Sequence, residues 1–365
     1  MKKILMRSGS YQILQVGCGR DHVLALLSSG KMMAWGGIGS GRIADSSAEI
    51  CTSPSTLNSP IEINAGQKLK SVSAGFGINL GLTETNKVVS WGNSSIGIGG
   101  NNQSVAISEP ELLANLPDAI AIASGEHNFA IVDIQGRIYT WGMNVDGVLG
   151  RHTSQLNAPP DIIHDLPPIK SIFMSQGSVF ALSKESDMYA WGGNSAGQLG
   201  LGHLDTQLEP MRINTSMKPI VLAAGATHIL ALLPDGEVYA WGSNNKGQLG
   251  TKAVNYSPAP LKINLPEKII DIAAGLHFSL ALSKSGKLYA WGWNGFGQLG
   301  LGDSVDRSRP TRVKNLEAVQ SISAGHTYAV AVTSKNLWGW GNNSSGQIGS
   351  ASSKIDHPNS FLSIA

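Results

Sequence analysis

Few residues in this chain are of a type and spacing that could do chemistry. Gly193-Asn194-Ser195-Ala196-Gly197 has the G-x-S-x-G spacing of a nucleophile elbow, in which a sharp strand-to-helix turn lifts a serine hydroxyl clear of a sheet. Gln198-Leu199-Gly200 follows without a helical pattern, and the corresponding places elsewhere hold Ser95, Val145, Asn245, Gly295 and Ser344. Ser195 is therefore read as inert. His22 and His228 share a position three residues after a turn glycine, where the counterparts are Ile78, Asn128, Ser178, Phe278 and Tyr328. A ring of catalytic or metal-binding imidazoles needs one shared position. A structural imidazole, its ring nitrogen bonded to backbone at the edge of a sheet, is the better reading. Cys18 and Cys51 form neither a disulfide framework nor a zinc spacing. No catalytic residue, metal site or cofactor site is expected.

The element that organises the chain is a repeat. Trp35, Trp91, Trp141, Trp191, Trp241, Trp291 and Trp340 are each followed by Gly, at intervals of 56, 50, 50, 50, 50 and 49 residues. A fixed period of this length marks a repeat architecture. Between Pro260 and Trp291 four short apolar runs are separated by turns: Pro260-Ile263, Ile269-Gly275, Phe278-Leu282 and Lys287-Trp291. Three connections are hairpin-length, and the link from Trp291 to Pro310 is long. Four-stranded units repeated radially make a β-propeller. The fold class is all-β, a seven-bladed β-propeller of four-stranded antiparallel blades, read as one domain over residues 1–365.

Blade limits are read from link length, since hairpins join neighbouring antiparallel strands. Each blade is expected to begin at the Pro-led strand and end at the Trp-Gly strand. That leaves Pro358-Ile364 without a blade of its own, and the first unit without an inner strand. The C-terminal strand is expected to complete the first blade and close the ring, with Lys3-Met6 the competing segment. Chain direction puts the Ala-Gly-x-x-His turns and the long links on one face, and the Leu-Pro-Glu and Ser-Lys-Ser-Gly turns on the other. The first link, Gly41 to Ser59, is six residues longer than the rest.

Composition narrows the function. Charged residues make up 14% and the net charge is +2, so no nucleic-acid surface is implied. Apolar runs stay short of the ~18 residues of a membrane span. The segment Met1-Met6 starts like a signal peptide, but Arg7-Ser8-Gly9-Ser10 interrupts the apolar run. A monomer synthesised in the cytoplasm is expected. Binding is sought on the link face. Trp293 and Phe296 replace residues that are small or polar in most other repeats, and loop aromatics anchor interfaces, with packing of Trp293 on a neighbouring blade as the other reading. Asp303, Asp306, Arg307 and Arg309 make the most charged link, with Arg151 and Asp205 at the same link position in earlier repeats.

Gly-Gln-Leu-Gly recurs at 197–200, 247–250 and 297–300, with Gly346-Gln347-Ile348-Gly349 and Gly147-Val148-Leu149-Gly150 as variants. Ala224-Gly225-Ala226-Thr227-His228 precedes Val238-Tyr239-Ala240-Trp241-Gly242 in the same register. The whole chain resembles the regulator-of-chromosome-condensation repeat family of seven-bladed propellers. The namesake is an exchange factor for the small GTPase Ran. Other members are a plant UV-B photoreceptor, β-lactamase inhibitors, ubiquitin-ligase domains and bacterial effectors aimed at host GTPases. The resemblance implies a partner of the Ran or Rab type and nucleotide exchange without bond chemistry, including the possibility of delivery into a host cell. A non-catalytic scaffold or inhibitor is the other reading. The chain departs from the family in having no basic N-terminal tail and no Gly-Trp-Arg-His-Thr repeats. No counterpart of the namesake's wedge hairpin is located, and the link at 41–59 is no more than a candidate.

Overall fold

Every strand of the third kind, the one ending in Trp-Gly, is paired on both sides. The computed structural model describes residues 12–37, 56–93, 106–316, 318–350 and 352–363. Among them the strands form seven four-stranded antiparallel sheets arranged as blades of a ring. The second strands explain the packing. Ile78–Thr83, Ser178–Ser183 and Phe278–Ser283 are buried at every position, because both faces of each blade pack on a neighbour. A strand buried on two faces reads as a near-continuous apolar run instead of an alternation. Outermost strands are largely open to solvent, as in Gln207–Arg212.

Blade limits differ from the sequence expectation. The first sheet holds Ile13–Cys18, His22–Leu27, Met32–Gly37 and Thr56–Ile63 in that order, so the Pro-led strand is the last strand of its own blade. The C-terminal strand Lys354–Ser363 pairs with Asn336–Asn342 in the seventh blade, and the first blade supplies its own fourth strand. It still stands at the closing seam, where Phe361 packs on Trp35 with ring centroids 5.5 Å apart. Connector length does not separate a hairpin from a crossover here, because a short connector can span a blade. Four strands at ~4.8 Å spacing put inner and outer edges about 14 Å apart, and six extended residues cover about 20 Å. The short segment after Ile263 therefore carries the chain from an outer edge to the next inner strand. The competing segment Lys3-Met6 lies outside the described residues, as do Cys51 and the link at 41–59 up to residue 55.

One contact repeats at the joints between blades. The indole N–H of Trp191, Trp241, Trp291 and Trp340 donates to the carbonyl of Val148, Gln198, Gln248 and Gln298 in the preceding blade's link, at 2.8–2.9 Å. Trp35 donates in the same way to Gln347 O at 3.0 Å, across the seam between the last blade and the first. Tyr328 OH adds bonds to Gly19 O and His22 O, at 3.1 and 2.6 Å. The core there runs unbroken from Phe278 and Leu280 through Tyr328 and Trp340 to Val23 and Trp35. Side chains close the ring as they close the four joints from the third blade to the seventh.

The glycine after each tryptophan is required by the backbone. Gly292 has φ +102°, and a Cβ there would stand 2.5 Å from His277 O. The first glycine of Gly-Gln-Leu-Gly is needed for a different reason. At Gly247 a Cβ would meet Ser308 Cα at 2.6 Å, because the link lies against the next blade's outer strand. The Trp-Gly and Gly-Gln-Leu-Gly signatures thus specify one joint from two sides.

Candidate docking face

The strand order puts the long links and the turns between first and second strands on the same face, as expected. Among the described links, those of the fourth to seventh blades are each braced by two side chains. In the sixth blade Asn294 Oδ1 accepts from Leu299 N–H at 2.9 Å, and Gln298 Oε1 accepts from Phe296 N–H at 2.8 Å. Asn194 and Gln198 do the same around Ser195, at 2.9 Å each. No helix follows Ser195, so the G-x-S-x-G match is a peg-and-loop turn.

The sixth link brings five of the proposed binding residues together. Trp293 is half-buried, with its backbone N–H bonded to His277 O at 2.9 Å and its ring lying over Gly295. Its ring meets Phe296 edge-on at 5.4 Å and His277 at 6.2 Å. Phe296 remains 37% exposed, which leaves one aromatic edge for a partner. Asp303 accepts from Asn294 Nδ2 at 3.0 Å and from Val305 N–H at 2.9 Å, and pairs with Arg307 at 2.6 Å. Burial pushes its pKa up, but those donors outweigh it and hold the carboxylate below its usual value. Asp306 accepts from Asn294 N–H at 2.8 Å and reaches Lys246 of the preceding link at 3.7 Å.

The other three sit apart from this cluster. Arg309 is exposed on the outer strand, with no ion pair among the described residues. Arg151, only 11% exposed, donates to Thr140 O at 3.1 Å and Pro159 O at 2.6 Å within its own blade. Burial lowers its pKa, against the opposing pull of Asp161. Asp205 is 85% exposed, beside His203 Nδ1 at 3.5 Å. Val145, Leu156, Leu204, Leu208, Tyr256 and Val305, on the links and the outer strands they enter, are also exposed.

A second group on this face escaped the sequence reading. The residue directly after each turn glycine, or after Ser175 in its place, lines the mouth of the central channel: Arg20, Phe76, Glu126, Gln176, Leu276 and His326 among them. Beneath lies a cavity of about 120 Å³ walled by small side chains such as Ala74, Ser124 and Ala324. The guanidinium of Arg20 lies 4.1 Å over the Phe76 ring, and Phe76 meets His127 and His326 edge-on at 5.7 Å each. Gln176 Nε2 and His326 Nε2 stand 2.7 Å apart, linking the fourth blade to the seventh. Burial first, then Arg20 and His277, lower the His326 pKa, with Asp21 pulling the other way. Reading the position after the turn glycine down all seven repeats would have found this ring. Attention to the third position found His22 and His228 instead.

Those two imidazoles are structural, as expected, though their bonds reach side chains of the next blade. His22 Nε2 lies 2.7 Å from Asn79 Oδ1, and His228 Nε2 lies 3.0 Å from Ser279 Oγ. Burial, then His277, pushes the His228 pKa down to about 3. Among the described residues no group of three or more His, Cys, Asp or Glu could hold a metal ion. Among the described residues no helix is long and apolar enough to cross a membrane. The face is built of rigid loops that present aromatic, aliphatic and charged groups, which is the chemistry of protein contact.

With that geometry in view, the comparisons with known proteins decide the family. Residues 95–364 match the RCC1-like domain, and residues 13–41 and 69–97 match the regulator of chromosome condensation (RCC1) repeat. The chain belongs to the RCC1-like domain family. The guanine nucleotide exchange factor SRM1 of Saccharomyces cerevisiae is 30% identical over 136 residues, 35% of this chain and 27% of that protein. The ultraviolet-B receptor UVR8 of Arabidopsis thaliana is 29% identical over 135 residues, 35% of this chain and 29% of the receptor. The probable E3 ubiquitin-protein ligase HERC6 of Homo sapiens is 31% identical over 121 residues, 32% of this chain and 11% of the ligase. The alignments span less than a third of each of these relatives. Among solved structures, Prp20p of Saccharomyces cerevisiae, described with its binding properties to Gsp1p and histones, superposes with TM-score 0.78. Its identity is 23%, over 87% of this chain and 82% of that one. Human WBSCR16 superposes with TM-score 0.81 at 19% identity, over 91% and 93%. Both likenesses concern the fold. Relatives with such different printed activities share the RCC1-like propeller, so activity must be argued from this chain's own surface.

Proposed function

We propose that this RCC1-like propeller is a protein-docking module whose link face engages a Ras-superfamily small GTPase of the Ran or Rab type and promotes guanine-nucleotide exchange. The observation that carries the reading is the sixth link, where Trp293 and Phe296 form a pre-shaped aromatic pair flanked by Asp303, Asp306 and Arg307. Exchange asks for no bond-making residue. It requires that the nucleotide-free partner bind more tightly than the loaded one, so that the bound population shifts and nucleotide leaves. A rigid surface with fixed aromatic anchors can supply that difference. The likeness to an exchange factor supports the same direction, and a monomeric propeller delivered as a bacterial effector fits it equally well.

The second reading is a scaffold or inhibitor that binds without exchange, favoured by the receptor and ligase relatives. Capture from a Ran and Rab panel separates the two. The exchange reading expects retention of a GTPase after its magnesium and nucleotide are chelated away, and release on adding GTP. Retention indifferent to nucleotide supports the scaffold. No retention across the panel removes the GTPase altogether.

A further inference from the structure

The opposite face carries a feature repeated around the channel. Near its start the inner strand of six of the seven blades has a bulge. Ile13 pairs with Leu27 and Gln15 with Leu26, which leaves Leu14 without a cross-strand partner. The same step singles out Lys70, Ile120, Lys170, Ile270 and Gln320. Ile220 stands in that place in the fifth blade, just before the Val221–Leu232 pair. A bulge turns its extra residue out of the ladder and re-aims the side chain. Here it sets one side chain in each of six blades around the rim of the crossover face, and Ile220, whose N–H bonds Leu232 O at 2.9 Å, takes the same place in the fifth.

The rim is apolar and basic. Leu14, Ile120, Ile220 and Ile270 are 58, 42, 52 and 51% exposed, too open to be core. Ile220 and Ile270 stand on adjacent blades, and Lys70 and Lys170 flank Ile120 from the blades on either side. Both lysines are bonded only to neutral groups, Asn86 and Ser186. Many carboxylates of this face are already matched: Asp118 with Lys87, Asp133 with Arg137, Asp187 with Arg212 and Lys218, Glu267 with Lys287. What is left over is positive. Among the described residues Lys68, Lys70, Lys170, Lys268, Lys284 and Lys335 have no ion pair, against Glu84, Asp165, Glu185 and Asp235.

We propose that this rim is a second docking surface, for an acidic peptide segment that carries aliphatic or aromatic side chains. The apolar residues would seat on Ile220 and Ile270, and the carboxylates would face the unmatched lysines. Because the rim lies across the ring from the links, both faces can be occupied together, which would make the propeller a bridge between two proteins.

Fluorescence anisotropy with a short labelled peptide of Asp, Glu, Leu and Phe tests this. Two control peptides replace its acids by amides or its apolar residues by serine. The acidic apolar peptide should bind, weaken as salt is raised, and lose about tenfold in affinity in an Ile220→Ser, Ile270→Ser variant. Lys70→Gln with Lys170→Gln should weaken it similarly, while Trp293→Ala leaves it unchanged. Thermal melts confirm that the variants are folded. The proposal is overturned if the peptide fails to bind, if either control binds as well, or if the rim variants bind normally. It is equally overturned if phosphatidylserine vesicles, and not the peptide, are held through these residues.

Discussion

Trp291 and Trp293 stand two residues apart, and they belong to different parts of the molecule. Trp291 is fully buried and donates to Gln248 O across a blade joint. Trp293 has left the sheet, folds over Gly295 and offers a half-exposed edge beside Phe296. The first belongs to a joint whose contacts recur with the sequence period. The second belongs to a link where only the pegs recur and the displayed residues vary. A repeat protein can therefore hold its stability in one set of positions and its recognition in another, with only Gly292 between them.

If that division is right, substitutions should sort by region. Trp291→Ala should cost about 4 kcal/mol of unfolding free energy in a urea titration, through lost packing and a cavity. A loss as small as that of a surface change would break the comparison. Asp271 sharpens it with pH. This joint residue bonds Ile322 N–H of the next blade at 3.3 Å, and burial raises its pKa to about 6 despite the amide bonds from Ile322 and Ile272. An acid raised above its unfolded value favours the fold most when protonated. Its contribution is present below about pH 4 and is lost as pH rises through about 6. Asp271→Asn should flatten that window and gain about 2 kcal/mol near neutrality, in melts run from mildly acidic to neutral pH. A variant with the wild-type slope would assign the window to other groups.

Tyr328→Phe removes one hydroxyl at the closing seam and should lower stability by about 1 kcal/mol, read from the shift in denaturation midpoint. No shift would mean the two seam bonds contribute nothing beyond packing. The smallest stability effect belongs to the link face. Trp293→Ala with Phe296→Ala should stay within about 0.5 kcal/mol of wild type, and a larger loss would make these aromatics part of the joint.

Much of this division was legible in the sequence. Seven Trp-Gly pairs counted the blades, strand runs placed the turns, and chain direction assigned both faces. Membership of the Pro-led strand was not legible, because residue counts do not say whether a short connector turns back or crosses a sheet. The rim at Leu14, Ile120, Ile220 and Ile270 was hidden too, since a bulge is visible only once cross-strand pairing is known. At the candidate site, sequence found Trp293 and Phe296 through their departure from the repeat. It did not reveal that Arg151 spends its donors on Thr140 and Pro159, nor that Gln176 and His326 meet across the channel, because both depend on contacts between distant positions.

The central claim is that the link face accelerates nucleotide exchange on a small GTPase. Release of fluorescent GDP from a Ran and Rab panel, with the propeller at catalytic concentration, tests it most directly. Exchange by the link face predicts faster release from one member, weakened in the Trp293→Ala, Phe296→Ala variant by about 2 kcal/mol in apparent affinity. Unchanged release across the whole panel would contradict it.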